Sequence, residues 1–76
     1  MVSPQEQVVR GHLESGRRAQ VQDDLERAAS AYRQALRIAP GHPDALNLMG
    51  AVLLRLGRAG EAVDCLQRAA SRLRAN

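Results

Sequence analysis

The stretch GRAGEAVDCLQRAAS, residues 57–71, decides how this chain is read. It opens on a glycine, passes through small and polar residues, and then sets Ala62, Leu66, Ala69 and Ala70 at the spacing of one helical face. It is either a single amphipathic helix or half of a unit that occurs more than once. Sliding the chain along itself separates the two. Gly16 and Gly50, Ala28 and Ala62, Tyr32 and Leu66, and Ala35 and Ala69 all stand 34 residues apart, matched in size or in apolar character. Two copies of one unit are present, and the quoted stretch is the turn and second helix of the second copy.

Proline and glycine divide the rest. RIAPGHPDA, residues 37–45, contains two prolines and a glycine within four residues, so Pro40 ends one helix and Pro43 or Asp44 opens another. Upstream, SPQE at 3–6 is a capping-box signature with proline in the first turn, which starts a helix running towards Gln22. DDLE at 23–26 caps a second helix that ends near Ile38. Downstream, Gly57 terminates a third helix begun near Asp44, and Glu61 begins a fourth that ends in RLRAN. Apolar residues recur at helical spacing in the last three: Leu25, Ala28, Tyr32, Ala35 and Leu36; Leu46, Met49, Leu53 and Leu56; Ala62, Leu66, Ala69, Ala70 and Leu73. No alternating strand pattern competes, so the expected fold is all-α.

Composition agrees. The 76 residues include one Tyr and no Phe or Trp, so the core must be built from Leu, Val, Ala and Met, which suits closely packed helices. The basic residues are all arginine and exceed the carboxylates by 11 to 8, for a net charge of +3. They are interspersed with Glu and Asp and form no run, so they read as a solvated helical surface and not as a nucleic-acid patch. The preference for Arg over Lys points to a GC-rich coding genome. Cys65 is the only cysteine, which rules out an internal disulfide and offers no metal-ligand pair. The longest apolar run, LMGAVLL at 48–54, falls far short of the roughly 18 residues of a membrane span, so a cytoplasmic protein without a membrane partner is expected.

The repeated unit resembles the tetratricopeptide repeat, a 34-residue helix-turn-helix with the pattern W-x2-L-G-x2-Y, A-x3-F, A and P. In the second copy LNLMGAVL, residues 46–53, stands for the first segment, with Leu46, Met49, Gly50 and Leu53 at its marked positions. AVDCLQRA, residues 62–69, supplies Ala62, Leu66 and Ala69 for the second. In the first copy Ala28, Tyr32, Ala35 and Pro40 match the second segment, while HLESGRRA at 12–19 is the poorer first helix. Ser15 and Ala19 there supply little apolar bulk, and Arg74 stands where the second closing proline would be. The resemblance implies an N-terminal helical extension at residues 1–8, repeats at 9–42 and 43–76, and a fragment of a right-handed α-α superhelix of two stacked hairpins. The repeat-defining glycines and alanines are read as packing residues: they let paired helices approach, and Tyr32 and Leu66 fill the next gap.

The same resemblance implies a noncatalytic protein-interaction module whose first helices line a concave groove for a peptide. Carried over, the groove residues are Arg10, Leu13, Arg17 and Gln20 from the first unit and Asp44, Asn47, Ala51, Leu54 and Arg55 from the second. Its three arginines point to an acidic peptide or chain terminus as ligand. Members that clamp a chaperone C-terminal carboxylate use a lysine and asparagines on this face, and Leu13 and Ala51 depart from that set. GHPDALNLMG is also similar to repeat segments that precede bacterial glycosyltransferase and sulfotransferase domains, so an N-terminal docking or regulatory segment of a larger enzyme is one alternative and a self-assembling scaffold another. Two repeats are fewer than the roughly three such arrays need, which leaves Val63, Leu66, Ala70 and Leu73 partly bare and predicts either self-association there or a chain that is a piece of a longer array. His12, His42 and Cys65 fall in separate elements, so neither catalysis nor a metal or other cofactor is expected.

Overall fold

The structure, a computed structural model, describes residues 3–74 apart from the side chain of Leu73. Four helices are described: α1 (Pro4–Val21), α2 (Leu25–Ile38), α3 (Pro43–Arg55) and α4 (Ala59–Arg74). They pack as two hairpins, α1 on α2 and α3 on α4, stacked through α2 against α3. The fold is the all-α pair of stacked helix-turn-helix units that the 34-residue period implies.

Local chemistry sets each boundary. Ser3 accepts the Glu6 N–H at 3.1 Å ahead of Pro4, which needs no partner for its missing donor. From there α1 runs unbroken through residues 8 and 9, with Val9 buried and Val8 exposed. Asp24 accepts the Arg27 N–H at 3.2 Å and starts α2. His42 does the same for α3, its Nδ1 accepting the Ala45 N–H at 3.3 Å, with Pro43 as the first helical residue. The last bond of α2 runs from the Ala39 N–H to the Ala35 carbonyl, and Pro40 has no N–H to extend it.

The two turns inside the hairpins are superimposable bond for bond. In the first, Asp23 N–H donates to Gln20 O and Asp24 N–H to Ala19 O; in the second, Gly57 N–H donates to Leu54 O and Arg58 N–H to Leu53 O. This is the Schellman closure, and it needs a left-handed residue at its corner. Gly57 takes that conformation with φ of 81°, whereas Asp23 takes it with φ of 61° despite its Cβ. Because this closure passes directly into the next helix, α4 begins at Ala59 and not at Glu61, with the Arg58 carbonyl already accepting the Ala62 N–H.

The core lies along the hairpin seams. Tyr32, Leu46, Leu53 and Val52 are its largest fully buried side chains, with Ala28, Ala35, Ala45 and Ala62 sealed between helices. Both repeat glycines are contact points. A Cβ at Gly16 would lie 2.7 Å from Tyr32 Cδ1, and one at Gly50 would lie 2.9 Å from Leu66 Cγ. Tyr32 and Leu66 therefore fill the space that the glycines open. Ala19 is buried although small, while Ser15 stays exposed, so the apolar face of α1 is narrower than that of α3. Arg74 is still helical.

Candidate functional site

The exposed face carried by α1 and α3 is built from positions that recur at helical spacing, 10, 13, 17 and 20 on α1 and 44, 47, 51, 54 and 55 on α3. Of the nine residues expected there, Arg10, Arg17, Asp44, Asn47, Ala51, Leu54 and Arg55 are exposed. Leu13 is not. It is 6% exposed and belongs to the hydrophobic core, so its place in a solvent-facing groove is corrected. Leu13 shares the buried side of α1 with Val9, Gly16 and Ala19, and α2 is the helix on which α1 packs.

Two more side chains are engaged within the fold. Gln20 is half-buried, and its Oε1 accepts the hydroxyl of the fully buried Tyr32. Arg55 Nη2 donates to Asp23 Oδ1 at 2.7 Å, tying the end of α3 to the α1–α2 turn. Beside it, Arg58 meets Glu26 at 3.7 Å. These two pairs cross the repeat boundary. Arg18 with Glu14 and Arg27 with Asp24 are paired within the first repeat. Arg10 and Arg17 have no carboxylate partner among the described residues, so the basic character of the face comes from these two and not from three.

Arg17 also acts on the interior. Burial pushes the Tyr32 phenol above its ordinary value, and the nearby Arg17 guanidinium partly opposes that rise. On α4 the buried Cys65 thiol is likewise pushed up by burial; Arg68 opposes the shift, and Asp64 and Glu61 add to it. A raised thiol holds little nucleophilic thiolate at neutral pH.

A cavity of about 420 Å³ opens at the amino-terminal end of this face, a feature the sequence did not announce. Val9, Ile38 and Ala39 give it apolar walls, and Arg10, Glu6 and His42 stand around it. It exists because the α2–α3 linker turns back beside the first turns of α1. His12, His42 and Cys65 lie in α1, ahead of α3 and in α4, and no group of three metal-ligating residues occurs among the described residues. No helix among the described residues is long and apolar enough to cross a membrane.

Of the four expected self-association residues, Val63 is 49% and Leu66 36% exposed, and Ala70 is half-buried. The Leu73 side chain lies outside the described residues.

The profile of the tetratricopeptide repeat family matches residues 21–75. The chain belongs to the tetratricopeptide repeat family. The match takes in the first turn and helices α2, α3 and α4, and the polar α1 enters through the 34-residue correspondence and its packing on α2. No curated protein and no solved structure matches the chain significantly. Tetratricopeptide repeats typically bind other proteins, and a protein-interaction role in general comes with membership.

Proposed function

We propose that the chain is a noncatalytic interaction module that binds an acidic segment of another protein along the exposed face of α1 and α3. The observation that carries this reading is the state of its arginines. Of the three arginines on this face Arg55 meets Asp23, whereas Arg10 and Arg17, two turns apart on α1, meet no carboxylate among the described residues; the same holds for Arg33, Arg37, Arg68, Arg72 and Arg74, which lie on α2 and α4 away from this face. A guanidinium without an internal partner is available for a forked contact with a carboxylate from outside. The cavity beside Arg10 supports a second element of recognition, an apolar side chain seated against Val9, Ile38 and Ala39 while adjacent carboxylates meet the arginines. Asp44 and Ala51 continue the face on α3, where the single carboxylate sets the direction of a charged peptide.

Exposed charge pairs contribute about 0.5–1 kcal/mol each, so losing both arginines corresponds to roughly tenfold weaker binding. The test is a fluorescence-anisotropy titration of a labelled acidic peptide containing leucine or phenylalanine, against the wild-type chain and the double variant Arg10→Ala with Arg17→Ala. The expected result is about a tenfold loss that shrinks as salt is raised. Equal binding by both proteins, or equal binding of a peptide in which every Glu is replaced by Gln, would remove the reading.

A further inference from the structure

The two ends of the stack carry opposite chemistry. At the upstream end α1 and α2 border a polar cavity of about 350 Å³ lined by His12, Ser15, Arg18, Gln22, Arg27 and Ser30. The residues that correspond to the first four of these on α3, which has a helix on either side, are Leu46, Met49, Val52 and Leu56, all buried or half-buried. The face that α3 uses for packing is thus replaced on α1 by groups that water satisfies. At the downstream end the reverse holds. Leu66 lies over Gly50, and Leu54 stands one helical turn further along α3 on the same side, in the place that Gln20 takes beside Tyr32. Val63 and Ala70 flank Leu66 one turn to either side on α4. Leu54, Val63 and Leu66 are 52%, 49% and 36% exposed.

We infer that this downstream end is an interface for a second copy of the chain, joined end to end about a two-fold axis and closing at a dimer. Open-ended stacking is the competing arrangement, and the upstream end forbids it. It would set Arg18, whose only carboxylate among the described residues is Glu14 at 3.9 Å, against leucine and valine and strip it of water. A two-fold arrangement sets Leu54, Val63, Leu66 and Ala70, none of them charged, against the same residues of the partner. The end face of two helices is about 24 Å long and about 20 Å across. That is roughly 500 Å² per copy, below the about 800 Å² of a standard stable interface. The dimer is therefore a weak one that exchanges with monomer, and it uses neither Arg10 nor Arg17.

Sedimentation equilibrium of the whole chain from about 1 µM to about 1 mM tests this. A monomer–dimer transition with no larger species is expected. Val63→Glu, at a half-exposed position where helicity by circular dichroism stays unchanged, raises the dissociation constant at least about tenfold. Ala70→Glu does the same from the next turn of α4. Arg18→Leu leaves the constant unchanged, and so does the double variant Arg10→Ala with Arg17→Ala, which separates this interface from peptide capture. A monomer at every concentration would overturn the inference. So would a mass that keeps climbing, or a dimer that responds to Arg18→Leu and ignores both α4 variants.

Discussion

In the first repeat Tyr32 is sealed from solvent and its neighbour in the stack, Ala29, is 1% exposed; their counterparts 34 residues later, Leu66 and Val63, are 36% and 49% exposed. The backbones around them make the same turn with the same hydrogen bonds. What differs is how the conformation is maintained. Repeat 1 has a capping carboxylate at Asp24, a hydroxyl-to-amide bond from Tyr32 to Gln20, and a neighbour over its downstream face. Repeat 2 has an unstrained glycine at its corner but Arg58, which has no acceptor to offer, at the cap position of Asp24. The first repeat carries a left-handed aspartate at an exposed corner and has a neighbour over its downstream face; the second has a glycine at that corner and leaves the downstream face exposed.

The largest break in that comparison comes from the two glycines on the seams. Gly16→Ala drives a methyl into the ring of Tyr32, which is fully buried and hydrogen-bonded and so has nowhere to go. Overpacking costs about 1–3 kcal/mol, and at a fully enclosed ring the upper part of that range applies; the better helix propensity of alanine returns about 1, so a net loss of up to about 2 kcal/mol is expected. Gly50→Ala meets only the side chain of Leu66, which is part-exposed and yields. There the propensity gain cancels the contact, and stability moves by less than about 0.5 kcal/mol. Urea-unfolding midpoints of the two variants check the contrast, and equal losses would mean that enclosure does not distinguish the repeats.

The corner residues give the next effect. Gly57→Ala forces a Cβ into the left-handed region at φ of 81° and costs about 1 kcal/mol. Asp23→Gly relieves the same strain in repeat 1 but removes the 2.7 Å contact with Arg55, so a near-zero change is expected from thermal unfolding of the two proteins. The caps then follow in parallel. Asp24→Ala removes a made cap and costs about 1 kcal/mol, while Arg58→Ser supplies the missing one. Its gain is about 0.5 kcal/mol, because the exposed 3.7 Å pair between Arg58 and Glu26 is lost with it.

These contrasts also show which parts of the molecule the sequence discloses. The helices, the linker and the glycine seams were legible because each depends on local chemistry: proline without a donor, Ser3 and Asp24 as acceptors, glycine opposite a bulky residue. The left-handed Asp23 was legible in principle, since it stands 34 residues before Gly57, but local sequence gives no reason to expect strain at an aspartate. The interaction face was less readable. Leu13 and Gln20 have the same spacing as exposed groove residues, yet Leu13 is buried in the core and Gln20 is bonded to Tyr32 across the α1–α2 hairpin, and periodicity alone does not separate them from the exposed positions. Pairing of Arg55 with Asp23 spans 32 residues and follows from the angle between hairpins, which no periodicity encodes.

Alkaline pH gives the smallest effect, absent at neutrality, and it distinguishes the repeats by chemistry alone. Tyr32 ordinarily ionises near pH 10, and burial raises that value in the folded protein, with Arg17 opposing. The folded state then keeps a proton that the unfolded chain releases, so the stability contributed is complete below pH 10 and is lost as pH rises through the folded value. Leu66 has no proton to lose, and the titrating group of repeat 2 is Cys65, whose ordinary value near 9 is raised chiefly by burial. Stability measured by urea unfolding therefore begins to fall above pH 9 through Cys65, and falls further above pH 10 through Tyr32. Cys65→Ala removes the earlier loss and leaves the later one; Tyr32→Phe does the opposite. If one substitution abolished both, the two repeats would be answering to a single buried group, and the enclosure that separates Tyr32 from Leu66 would not divide the molecule electrostatically.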